Sequence, residues 1–282
     1  MFKLVAENSR GESLVLTNNP NYIVYKIDGL TPPQATINSS VNTTTDGSTI
    51  NSSRLENRNI VIYMTIEGDI EANRINLYKY FPVKKDVTLY FTNGTRDVNI
   101  CGRVELIECD LFAQKQTAQI SIICAKPYFK AVNDLVHSFG SISNLFEFPF
   151  SIPAEGIEFS SITSAVRKSI INSGDVDTGI IIKLFATGTV VNPTIYNVFK
   201  KTSLKLNLTM LPSDTVVINT NVGEKAIELI RDGVTTNALG YMARNSTWFI
   251  LESGDNVFTY ECDSGTADLQ ITFTTSLLYS GV

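Results

Sequence analysis

Up to Phe129 the apolar positions mostly alternate with polar ones, the period of a strand with one buried face. "SLVLT" (Ser13–Thr17) and "YIVYKI" (Tyr22–Ile27) predict short strands on either side of the turn cluster "NNPN". "NIVIYMTIE" (Asn59–Glu67) predicts a longer strand, rich in β-branched and aromatic residues. In "DVTLYFTNGTRDVNICG" (Asp86–Gly102), Asn93-Gly94 separates two such runs. That pair suits a type I′ hairpin, in which both turn residues adopt positive φ. "RVELIECDLF" and "QTAQISIICA" continue as another antiparallel pair. One segment changes period: Ile70, Leu77, Tyr78 and Phe81 fall at helical spacing behind Asp69, a good N-cap. Arg74 interrupts the stripe and Pro82 stops it. Such a helix is placed to cover an open face of the sheets and close their core.

Near Phe129 the alternation fails. "FKAVNDLVHSFGSISNLFEF" sustains no period and marks a domain junction at residues 130–145. Two domains follow, 1–134 and 135–282, in keeping with a chain of 282 residues at roughly 100–200 per domain. The second half is strand-like throughout: "GIIIKLFATG", "SLKLNLTML", "TVVINT", "KAIELI", "STWFILE", "NVFTYECD" and "LQITFTTSLLY". Turns such as Ser173-Gly174-Asp175, Pro212-Ser213-Asp214 and Arg231-Asp232-Gly233 separate them. Many short strands with frequent turns predict a sandwich or barrel. The fold class is mainly β: an N-terminal β-sandwich-like domain with one helix, then a second β-sandwich. There is no fixed-period repeat and no heptad pattern.

One stretch fits none of these elements. "GLTPPQATINSSVNTTTDGSTINSSR" (Gly29–Arg54) opens on Pro32-Pro33, and from Thr36 to Ser53 it has 13 Ser, Thr or Asn in 18 residues. A disordered linker, a ligand-gripping loop and an arm that folds against something else are all consistent with such a run. It lacks the net charge of a disordered tail, and Val41, Ile50 and Leu55 are scattered apolar anchors. Strands follow it directly, so it does not link domains, and a long loop inside a domain is usually functional.

Composition narrows the function. An apolar fraction of 43% supplies cores without help from disulfides or metals. A net charge of −5 argues against gripping nucleic acid by its phosphates, though it suits a surface past which DNA must slide. No apolar run approaches the ~20 residues of a membrane span, so no membrane insertion is expected. The N-terminus turns polar at Glu7, unlike a signal peptide, so synthesis in the cytoplasm is expected. The six N-x-[ST] sequons are then accidents of composition, and Cys101, Cys109, Cys124 and Cys262 are expected to be buried, reduced thiols.

Catalytic patterns are missing. His137 is the only histidine and has no nucleophile-elbow Ser or Cys near it, and zinc lacks a ligand set. No Walker or dinucleotide glycine motif is present, and no cofactor is expected. Asp175 and Asp177 alternate as calcium ligands do, but without the rest of a loop; a plain turn explains them. The nearest carboxylate pairs, Glu155 with Glu158 and Glu252 with Asp255, sit in turn-like stretches. Trp248 is the only tryptophan. It suits either a core position or a platform that stacks on a sugar ring, with Arg244, Asn245 and Asn256 adding hydrogen bonds.

The order of these segments resembles a known family. The I-x-G-L-x-P-P segment from Ile27 is followed by the Ser-rich loop, R-x-I-x-I-x-x-x-I-x-G from Arg58 and "RINLYKYF" from Arg74. A hairpin and the closing "QISIICAKPYF" complete a pattern similar to the N-terminal domain of phage distal tail proteins. "INSGDVDTGIIIKLFATGTVVNPTIYN" and "STWFILESGDNVFTYECDSG" resemble that family's second domain. The resemblance implies a structural protein of the virion, at the distal end of the tail. It implies a hexameric ring that joins the tail tube protein to a tail-associated hub or lysin protein, in some cases with receptor-binding proteins, around a channel for DNA. It also implies a galectin-like or carbohydrate-module-like second domain on the periphery. The alternative is a carbohydrate-binding adhesion module of the tail tip, with Trp248, Arg244 and Asn256 as its contacts. Galectins bind sugar through a set of His, Asn, Arg and Trp residues, and the second half has no histidine beyond His137 at its start, so sugar binding does not follow from the fold. A ring gives the Ser-rich stretch a place: an oligomerisation arm, with Ser39, Val41, Thr44, Ile50 and Ser52 as its candidate contact residues.

Overall fold

Alternation decides which residues meet in the first half of the chain. In the computed structural model, which describes residues 2–44, 46–139, 141–144, 160–163 and 167–282, the first half forms β1 (Lys3–Asn8), β2 (Ser13–Val15), β3 (Tyr22–Asp28), β4 (Ala35–Val41), β5 (Ser48–Leu55), β6 (Arg58–Ile66), α1 (Ile70–Tyr80), β7 (Asp86–Thr92), β8 (Asp97–Cys109), β9 (Thr117–Cys124) and β10 (Phe129–Ala131). Seven strands make one antiparallel path, β2-β1-β7-β8-β9-β6-β3. Its inward positions, such as Leu4, Leu89, Phe91, Ile100, Ile120 and Ile62, form one buried cluster. Helix α1 packs on both β1 and β6, which stand four strands apart in that order, so the sheet curls and the helix closes the gap. Asp69 caps it by accepting from the Ala72 amide at 3.2 Å, and Leu77 and Phe81 enter the core. Tyr78 does not: it is exposed on the outer face.

The chain divides into two compact units, Met1–Val132 with Leu278–Val282, and Asn133–Leu277. The second expected domain, 135–282, therefore loses its last five residues to the first unit, because Leu278–Tyr279 pairs with β10.

The second unit contains β11 (Leu135–Phe139), β12 (Ser141–Asn144), β13 (Ser160–Thr163), β14 (Lys168–Asn172), β15 (Ile181–Ala186), β16 (Val190–Val191), β17 (Thr194–Asn197), β18 (Thr202–Lys205), β19 (Thr209–Met210), β20 (Thr215–Asn219), β21 (Ala226–Arg231), β22 (Val234–Asn237), β23 (Gly254–Glu261) and β24 (Leu269–Thr275). A six-stranded sheet, β11-β24-β15-β20-β21-β22, and a four-stranded one, β14-β23-β17-β18, share one core. Ile182, Val216 and Phe273 enter it from the first sheet, and Ile170, Ile195 and Phe258 from the second, as in a sandwich.

Three local expectations change. Asn93 does not adopt positive φ; only Gly94 does, at 59°. The Asn93 side chain instead accepts from the amides of Thr95 and Arg96 at 3.1 and 2.9 Å, which builds a four-residue loop rather than a type I′ turn. "STWFILE" makes no ladder; among its residues only Leu251 forms a bridge, to Thr178. His137 is not in an aperiodic stretch but in β11, opposite Phe273, on the inward side with Leu135 and Phe139.

Candidate functional site

The Ser-rich stretch is a β-hairpin. β4 and β5 pair in register from Ala35↔Leu55 to Val41↔Ser48, with one bulge at Asn38/Ser39, and belong to no other sheet. The five predicted residues come together on its outer half: Ser39 faces Ile50, Val41 and Ser52 sit in the strands, and Thr44 is in the connecting loop. The rungs are joined by polar side chains. Asn38 donates to Ser52 Oγ at 3.1 Å and Ser40 to Asn51 Oδ1 at 3.4 Å. At the base, Thr36 donates to Glu56 Oε1 at 2.6 Å. That bond, with the neighbouring Arg54 guanidinium, holds the Glu56 carboxyl below its ordinary value.

What the hairpin does not do is bury anything. All but Thr36 and Leu55 of its strand residues are exposed, including Ile37 at 58%, Val41 at 77% and Ile50 at 65%. Both long edges carry free backbone groups, and the strands hold no Lys and no Pro, the usual devices against edge pairing. The sequence signal was present: β-branched residues on both sides of Asp46-Gly47 are a hairpin pattern. The density of Ser and Asn concealed it.

The carbohydrate candidates do not converge. Asn256 is 4% exposed, and its amide is spent on its own turn: Nδ2 donates to the carbonyls of Glu252 and Gly254 at 2.8 and 3.1 Å, and Oδ1 accepts from the Glu252 amide at 3.2 Å. It therefore has nothing left to offer a sugar. Trp248 is half-buried against the core, with the Lys225 ammonium 5.6 Å from its ring centre, while Arg244 and Asn245 are exposed.

The remaining chemistry is structural. Asp177 accepts from the Ser253 amide at 3.1 Å, as a turn residue does. Glu252 pairs with Lys200, and Asp255 accepts from Ser169. Glu155 and Glu158 lie outside the described residues. The four cysteines are free, but Cys101 is exposed, because it points away from the side of β8 that carries Ile100 and Gly102. Burial pushes the thiols of Cys124 and Cys262 up to about 12 and about 11, far from the reactive thiolate range. Among the described residues no cluster of His, Cys, Asp and Glu is arranged to hold a metal.

Residues 173–276, all in the second unit, match the family of the siphovirus-type tail component, C-terminal domain. The match covers well under half of the chain's 282 residues. The fold of the chain is similar to those of solved phage proteins. It resembles the SPP1 Dit (gp 19.1) protein, described as a paradigm of the hub adsorption apparatus in phages infecting Gram-positive hosts. The TM-score is 0.68 at 12% identity, over 98% of this chain and 99% of that one. Chains of the phage P2 baseplate in its activated conformation, with Ca and with Sr, are also similar. Their TM-scores are both 0.51, at 12% and 11% identity, over 100% of both chains and 98% of both chains respectively. No curated protein matches.

Proposed function

We propose that copies of this protein join head to tail into a hexameric ring at the distal end of the tail. The ring connects the tail tube protein to the tail-associated hub or lysin protein and leaves a central channel for DNA, with receptor-binding proteins as further partners. The observation that carries this reading is the hairpin. A two-stranded ribbon with both faces in water is marginal by itself. Exposed Ile37, Val41 and Ile50 and two unguarded edges are what a neighbouring subunit covers. The arm springs from between β3 and β6, at one end of the sheet order, while β2 is at the other. One subunit's arm meeting a different surface of the next is a heterologous contact, and such contacts build a ring when the rotation between subunits closes. The number six comes from the resemblance. The net charge of −5 is compatible with DNA passing unbound.

The test is the mass of the assembly. The full chain is expected to sediment as a hexamer. A chain lacking Ser39–Ser52 is expected to keep its far-ultraviolet strand spectrum and its melting temperature, and to stay monomeric. A ring that forms unchanged without those residues overturns the role of the arm. A full chain that remains monomeric at high concentration, with no binding to a tube protein, overturns the ring.

A further inference from the structure

Arg58 is among the largest fully buried side chains, at 2% exposure. No carboxylate pairs with it among the described residues. Its guanidinium is held by backbone carbonyls: Nε donates to Pro127 at 2.6 Å, Nη1 to Gly29 and to Thr31 (2.8 Å), and Nη2 to Ser280 at 2.7 Å. The ring of Phe129 lies 4.6 Å below it. Carbonyl dipoles and a ring face offset the buried charge.

The position of these groups matters more than their number. Gly29 and Thr31 stand just before the arm, and Arg58 opens the strand just after it, so the cation ties the two legs of the arm together. The fourth carbonyl comes from Leu278–Val282, which follows the second unit in sequence but belongs to the first. The same segment is held to the first unit at three more places, the last of them at the root itself. Leu278–Tyr279 pairs with β10, Arg96 stacks on Tyr279 at 4.4 Å and donates to the Gly281 carbonyl, and the Val282 amide donates to Leu30 at 3.1 Å. Gly281 passes so close that a Cβ there sits 3.1 Å from the Leu30 oxygen and 3.2 Å from Pro32 Cδ.

We infer that Leu278–Val282 is a strap that locks the root of the hairpin through Arg58. The arm is set for docking only when the segment made after the second unit has folded back onto the first. Chains whose second unit is unfinished then have a loose arm and are kept out of assembly. This rests on the arm as the assembly element, but the strap itself does not.

Hydrogen exchange on the full chain and on a chain lacking Leu278–Val282 tests it. Amides from Gly29 to Thr31 and at the start of β6 are expected to exchange roughly ten-fold faster without the strap, while β7, β15 and β24 keep their protection. Assembly is expected to fall with it, and the pentapeptide Leu278–Val282 added in trans is expected to restore both. Arg58→Lys, which keeps the charge but loses the fork, is expected to loosen the root in the full chain. Unchanged exchange at the root overturns the strap. So does loss of protection across β7 and β8, which makes the segment a general part of the core. A loosened root with normal ring formation leaves the strap standing and overturns the role of the arm in assembly.

Discussion

Asp214 carries more than its place in a turn suggests. Its side chain is 4% exposed and accepts from Arg231 Nε at 3.0 Å and Nη2 at 2.6 Å, and from the Leu211 amide at 2.7 Å. The Arg231 bonds, aided by that amide, hold the carboxyl below its ordinary value against the opposing effect of burial. A depressed carboxylate adds stability above its unfolded pKa and loses it as the pH falls through the folded value. Asp214→Ala leaves a backbone donor and a guanidinium without their acceptor, so it is expected to cost about 1–3 kcal/mol at neutral pH. The urea midpoints of variant and wild type are expected to converge as the pH drops below the carboxylate range; a constant gap sinks the assignment. By contrast, Arg10–Glu12, with side chains 61% and 51% exposed, is an ion pair of little consequence. The sequence marked Asp214 only as a turn residue, and it marked Arg58 only as one letter of a family pattern. Their partners are fixed by folding, 17 and up to 222 residues away, and no local period announces them.

At the scale of elements, period and capping chemistry made most of the first half legible. β6, β7 and β8 follow the alternation, and α1 runs from its predicted cap to its predicted stop. The exceptions have one cause. At Asn93 and along the arm, polar side chains bond to nearby backbone or to each other, which a pattern of apolar positions does not register. The Ser-rich stretch stood out in the sequence as an anomaly, but not as a hairpin. Because Ile50 is exposed and touches no core, Ile50→Lys is expected to change unfolding free energy by less than about 0.5 kcal/mol. The same change places a charge on the surface that is proposed to dock, and is expected to shift the sedimentation profile from ring to monomer. A drop in melting temperature with assembly intact would mean that the hairpin packs within its own chain.

For the whole molecule, the sequence showed two domains but not that the first is discontinuous; "LLYSG" looks like the fading end of a strand run, and only its pairing with β10 reveals where it belongs. The two cores share no residue. Phe91 is fully buried in one, edge-on to Phe129 at 5.6 Å, and Phe258 is fully buried in the other, edge-on to Phe249 at 5.4 Å. Replacing either by Ala removes a ring from a packed interior and is expected to cost about 3–5 kcal/mol of the unit that holds it. Calorimetry of the wild type is therefore expected to resolve two transitions, with Phe91→Ala lowering one and Phe258→Ala the other. A ring made by the first unit adds a sharper demand. Where the second unit of Phe258→Ala melts first, the first is still intact between the two transitions, so the assembly is expected to keep its mass there and to lose it only at the higher transition. Dissociation at the lower one assigns the contacts between subunits to the second unit instead, and with them the ring.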